Sequence, residues 1–203
     1  MSGVKGLLMP VERRWVGWRL WLGWLLASSI GWALGLAGGF AFGFGIGGVV
    51  SGTASMGVFG AILGVSIGTL QWLVLRRWIS RAGWWVLATA VGMGVGFALI
   101  KAVTPTLSEV LDGGPLYGAA NGGLVGVLVG TLQGLVLRRQ VARAGWWVLT
   151  SAVAMSVGFA LDQVVGQLVG MATTGTALVW LLRQPAQGTG RREAANDCLR
   201  RRR

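Results

Sequence analysis

Long apolar stretches separated by short clusters of charge dominate the chain. No charged residue occurs from Leu20 to Leu75, a run long enough for two membrane crossings of about 20 residues each and an uncharged turn. Arginines 76, 77 and 81 then interrupt, and further charge-free runs follow at 82–100, 113–137, 144–161 and 163–182. Each is close to one membrane helix in length. The runs lack the period-2 alternation of a barrel, and a lipid-exposed backbone must satisfy its own hydrogen bonds, so helices are the reading that remains. The pattern predicts an all-α, polytopic transmembrane bundle with six spans at 17–38, 54–75, 83–103, 116–137, 145–162 and 165–182. The turn around Asp162, Gln163 and Val164 is short, which leaves a re-entrant hairpin as the alternative for the last pair.

The chain also repeats itself. GTLQWLVLRR from Gly68 and AGWWVLA from Ala82 return as GTLQGLVLRR from Gly130 and AGWWVLT from Ala144, an offset of 62 residues. Residues 68–103 and 130–165 share 25 identities in 36 positions, more than common hydrophobicity produces. A degenerate copy lies upstream, where WLLASSIGWALG from Trp24 matches WVLATAVGMGVG from Trp85. A remnant lies downstream, with Leu181, Leu182 and Arg183 in the place of Val136, Leu137 and Arg138. Two spans per copy return each copy to the same side of the membrane, so parallel two-helix units are expected at about 17–53, 54–115 and 116–182. Inverted repeats, one common basis of alternating access, are not indicated. Over residues 54–165 these motifs resemble a loose group of uncharacterised Gly- and Trp-rich multi-span proteins of bacteria; the resemblance implies membrane location and repetition, and no activity.

Charge sets the expected orientation. Of 18 basic residues, Lys5, Arg13, Arg14 and Arg19 precede or open the first span, Arg76, Arg77 and Arg81 join spans 2 and 3, and Arg138, Arg139 and Arg143 join spans 4 and 5. Seven arginines follow the sixth span, leaving Lys101 alone on the opposite side with Glu109, Asp112 and Asp162. The positive-inside rule then puts both termini in the cytoplasm of a bacterial inner membrane, with residues 1–16 as a cytoplasmic segment, 17–182 as one membrane domain and 183–203 as a disordered basic tail. Anionic lipid is the expected partner of the basic connections and the tail. Nucleic acid is not expected, because the arginine spacing follows the bilayer crossings. The first apolar run is too long for a cleaved leader and reads as a retained span.

Composition removes several chemistries. With no histidine, the chain cannot build a Ser-His-Asp triad, a His-ligated haem or most zinc sites. Its one cysteine, Cys198, sits in the basic tail and excludes an intramolecular disulfide or a Cys-rich metal centre. No cofactor, metal or catalytic residue is assigned.

The candidate residues are therefore structural. Gly118, Gly122, Gly126, Gly130 and Gly134 recur every four positions, and Gly60, Gly64 and Gly68 match the middle of that ladder. Such rows clear one helix face for close backbone approach, within the chain or against another chain. The pairs Trp84-Trp85 and Trp146-Trp147 follow the arginine clusters and are expected at headgroup level, within reach of the arginines for cation-π or phosphate contacts. Tryptophans 15, 18, 21, 24 and 32 make the first span aromatic, with room for a hydrophobic ligand. Gln71 and Gln133 occupy equivalent places and are expected to bond across helices, and Lys101 and Asp162 to approach each other across the repeat interface. These features point to a non-enzymatic, glycine-packed structural or accessory subunit that associates with other membrane proteins or with itself. The alternative is a small channel or transporter for a small or apolar solute.

Overall fold

The computed structural model describes residues 9–46, 52–79, 82–111, 113–138, 141, 143–161 and 163–183. Among these, the chain forms six helices and no strand: α1 (Met9–Ile46), α2 (Gly52–Leu75), α3 (Gly83–Leu111), α4 (Pro115–Leu137), α5 (Gly145–Ala160) and α6 (Gln163–Arg183). Five are long and apolar enough to cross a membrane, as expected of a multi-pass membrane protein. α5, with 16 residues, rises about 24 Å, short of a hydrocarbon core of about 30 Å.

Three boundaries lie eight residues outside those expected, both ends of α1 and the C-terminal end of α3. α1 begins at Met9 and continues through Arg13, Arg14 and Arg19, because charge ends an apolar run without ending a helix. α3 runs on through Pro105 to Leu111, eight residues past the expected end of that span. There Gly113 adopts φ +67°, a left-handed turn that favours glycine, and Pro115 opens α4 with its ring already at helical φ.

Each helix packs on its neighbours in sequence, and α6 closes on α1, while among the described residues no helix pair across the ring is in backbone contact. The result is a closed ring of six helices. Glycine makes its seams tight. A Cβ at Gly64 would lie 2.6 Å from the Thr89 carbonyl oxygen and 2.7 Å from Ala90 Cα, and one at Gly126 would lie 2.5 Å from the Ser151 oxygen and 2.7 Å from Ala152 Cα. Gly60 and Gly68 likewise face α3, and Gly118, Gly122 and Gly130 face α5, with Gly134 in looser contact at the end of the row. A second set, not singled out in the sequence, tightens the intervening seams: Gly31 meets Ile67 of α2, and Gly92 meets Val129 of α4. The glycine faces are thus used inside the chain. The outer surface is apolar instead, with residues such as Leu26, Val65, Leu87 and Leu149 exposed where lipid would surround a membrane helix.

Both arginine connections are built alike. Ile79 and Val141 bend back to Leu75 and Leu137 through backbone hydrogen bonds of 2.9 Å and bury their side chains, leaving Arg76, Arg77, Arg138 and Arg143 exposed. Arg81 and Arg139 lie outside the described residues. Arg76 lies over the ring of Trp72, at 5.6 Å, so this cation-π contact involves a tryptophan other than the expected pairs.

Replacing Gly126 by alanine puts a methyl group against fixed backbone and is expected to cost about 1–3 kcal/mol. Gly145→Ala, where a Cβ meets nothing within 4 Å, is expected to be neutral or to stabilise by up to about 1 kcal/mol. Unfolding of both variants in detergent measures the contrast; equal effects would remove the packing role assigned to Gly126.

Candidate functional site: an axial chamber

Six cylinders touching in a ring, with none in contact across it, leave an axial position the size of a seventh. In this chain that position is partly filled by side chains and partly open. The open part is a chamber of about 630 Å³ lined by residues of all six helices. Such a volume is typical of a small-molecule site.

Three tryptophans form the floor. Trp24 of α1, Trp85 of α3 and Trp147 of α5 make a near-equilateral triangle with ring centroids 5.6–5.9 Å apart. Leu75, Leu137, Leu178 and Leu181 from the even-numbered helices pack among them, all in one buried cluster with Ile79 and Val141 of the arginine connections. This corrects the expectation that both members of each tryptophan pair lie in an interfacial belt. Trp84 and Trp146 are 60% and 54% exposed, but Trp85 and Trp147 are 0% and 1% exposed. Consecutive helical residues point about 100° apart, so one ring of each pair turns outward as the other turns to the axis.

A buried indole needs an acceptor for its N–H. Trp85 Nε1 donates to Gln71 Oε1 at 2.8 Å, and Trp147 Nε1 donates to Gln133 Oε1 at 3.0 Å. The amide nitrogens of the same glutamines reach the helix on their other side: Gln71 Nε2 donates to Ser28 Oγ at 3.0 Å, and Gln133 Nε2 to Thr89 Oγ1 at 2.9 Å. Thr89 Oγ1 in turn donates to the Trp85 carbonyl at 2.8 Å. Each glutamine therefore ties together three consecutive helices. The sequence singled out Gln71 and Gln133, and Trp24 among the tryptophans of the first span; it missed Ser28, Thr89 and Ser151. The available signal was a tryptophan followed four residues later by Ser or Thr, at Trp24-Ser28, Trp85-Thr89 and Trp147-Ser151.

The third side of the triangle differs. Trp24 Nε1 donates to Thr174 Oγ1 of α6 at 3.2 Å, and Trp21 Nε1 beside it reaches the Ala172 carbonyl and Thr176 Oγ1. Beyond this polar girdle the walls become apolar, with Met93, Met155, Phe59 and Phe97 among the lining residues. Among the described residues, no charged side chain lines the chamber. At its far end Phe97 and Phe159 meet edge to face at 6.3 Å, and both also border a second space of about 510 Å³ under the Gly113–Pro115 turn. Buried Asn121 lines that second space, and its Oδ1 has no hydrogen-bond partner. Lys101 is exposed in the C-terminal half of α3, almost three turns before its end, and its expected partner Asp162 lies outside the described residues.

Gln133→Leu strands the Trp147 N–H in the interior and is expected to destabilise the protein by about 1–2 kcal/mol. In a Trp147→Phe background the same change is expected to cost less, because the donor is already gone. A double-mutant cycle of unfolding free energies measures this; strict additivity would break the assigned coupling. Comparison of the chain with protein-family models, with characterised proteins and with solved structures returned no match.

Proposed function

We propose that the protein is a multi-pass carrier of a small apolar solute, which it holds in the axial chamber. The observation that carries this reading is a closed helix ring around about 630 Å³ of uncharged, mostly apolar space. A chamber of this kind excludes ions, which would lose their hydration without a compensating charge. The tryptophan triangle and the leucines around it block the axis at the arginine end, so the shape favours a gated binding chamber over an open pore. The reading takes the chain as three parallel two-helix units crossing a bacterial inner membrane six times. Both termini and the arginine connections then lie in the cytoplasm, against anionic headgroups. A short α5 is accommodated by local thinning of the bilayer or by its place in the ring.

The accessory-subunit reading has a different support. The apolar outer surface carries Trp18, Trp84, Trp146 and Trp180 at 46–60% exposure, which suits a membrane-protein neighbour as well as lipid. Its original motive was the glycine ladders, and these are taken up by contacts within the chain.

Gentle purification from the native membrane followed by native mass spectrometry separates the two readings. The carrier reading predicts a neutral small molecule retained by the wild type and absent from Met155→Trp, a variant that fills the chamber, with the thermal midpoint of that variant within a few degrees of wild type. Stoichiometric foreign subunits and no small molecule would instead support the accessory role.

A further inference from the structure

The polar girdle is incomplete in a way that points to the chemistry of the ligand. This inference rests on the carrier reading above. On the even-numbered helices, Gln71 and Gln133 each accept an indole N–H from the helix that follows and donate to a hydroxyl on the helix that precedes. In α6 their place is held by Thr174: Val129, one turn before Gln133, meets Gly92, as Gly170, one turn before Thr174, meets Ala154, and Thr174 lines the chamber as both glutamines do. Leu178, one turn further, is buried among the three tryptophans with Leu75 and Leu137, each four residues past its glutamine. A threonine there accepts from Trp24, but its hydroxyl donates back to the Gly170 and Met171 carbonyls and gives Ser151 no donor.

The two groups left over are treated differently. Trp24 finds Thr174. Ser151 finds nothing: its residue is 4% exposed, its Oγ has no hydrogen-bond partner, and it does not donate back along its own helix as Thr89 does. Ser151 lines the chamber. A buried hydroxyl without a partner is costly, and such groups are uncommon in native interiors.

We propose that Ser151 Oγ is the recognition point for the head of the chamber's ligand, a neutral, elongated molecule with a single hydroxyl or ketone group on an aliphatic body. The head takes the hydrogen bond that a glutamine at position 174 would otherwise make, just above the tryptophan floor. The body extends along the apolar wall past Met93 and Met155 toward Phe97 and Phe159. The absence of charge from the lining excludes a carboxylate or ammonium head.

The test uses the full chain in lipid nanodiscs with two photoreactive probes, a diazirine-bearing 1-dodecanol and the matching dodecane. Labelled sites are mapped by mass spectrometry, and thermal midpoints are recorded for each variant. Expected for wild type is labelling near Met93 and Met155, about five-fold stronger for the alcohol at limiting probe, the selectivity one hydrogen bond supplies. Ser151→Ala should bring the alcohol down to the level of the alkane without lowering the thermal midpoint. Thr174→Gln should do the same while raising the midpoint, because the new amide accepts from Trp24 and occupies Ser151. Equal labelling by both probes in wild type, or a preference that survives Ser151→Ala, overturns the assignment of Ser151 while leaving the chamber as a site. Absence of chamber labelling by either probe overturns the carrier reading and this proposal together.

Discussion

Close contact between glycine and the backbone of the next helix is the constraint on which the rest of the structure depends. Between membrane helices there is little hydrophobic drive, so packing must come from dispersion and weak Cα–H contacts at short range. Gly64 and Gly126, set against the backbones at Ala90 and Ala152, supply that range on the α2–α3 and α4–α5 seams, and Gly31 and Gly92 supply it on the seams between. A ring closed by such contacts has a fixed circumference. It cannot collapse inward, because collapse would pull each glycine away from its partner backbone. The axial space is a consequence of how the circumference is held.

What fills the axis then matters more than what lies outside it. At the arginine end, three indoles in edge contact and a shell of leucines make a dry plug, and two glutamines satisfy two of the three indole N–H groups. Because each glutamine bonds to helices on both sides, the polar girdle links α1 to α2 and α3, and α3 to α4 and α5. The link from α6 to α1 uses Trp21 and Trp24 with Thr174 and Thr176 instead, and this seam is the least extensive in the ring. The asymmetry therefore falls at one place: the last helix, where the repeat in the sequence is most worn, is also where Thr174 stands in the girdle in place of a glutamine.

Much of this architecture is legible in the amino-acid sequence, for stated physical reasons. Charge-free intervals mark the helices because buried or lipid-facing charge is expensive, and the four-residue glycine spacing marks contact faces because a helix returns nearly to the same face after four residues. Other features depend on direction and closure. Trp84 and Trp85 are adjacent in sequence and alike in chemistry, yet only the second points to the axis. The partners of Gln71 are Ser28 and Trp85, 43 and 14 residues away, and no local pattern around Gln71 names them. The helix continues through Arg13 and Arg14 at one end and past Pro105 further along, since the limits of an apolar run are set by solvation and those of a helix by backbone hydrogen bonds. Closure of α6 on α1 has no signature in either segment alone.

The central claim is that the six helices close into one ring within a single chain, and the α1–α6 seam tests it most directly. Ser29 Oγ and Met171 Sδ face each other across that seam at 3.4 Å. With Cys198 replaced by serine, the pair Ser29→Cys and Met171→Cys, treated in native membranes with a short thiol-specific crosslinker, is predicted to give a linked monomer in high yield and little linked dimer. Links between chains, or none, would contradict a closed ring and with it the axial chamber.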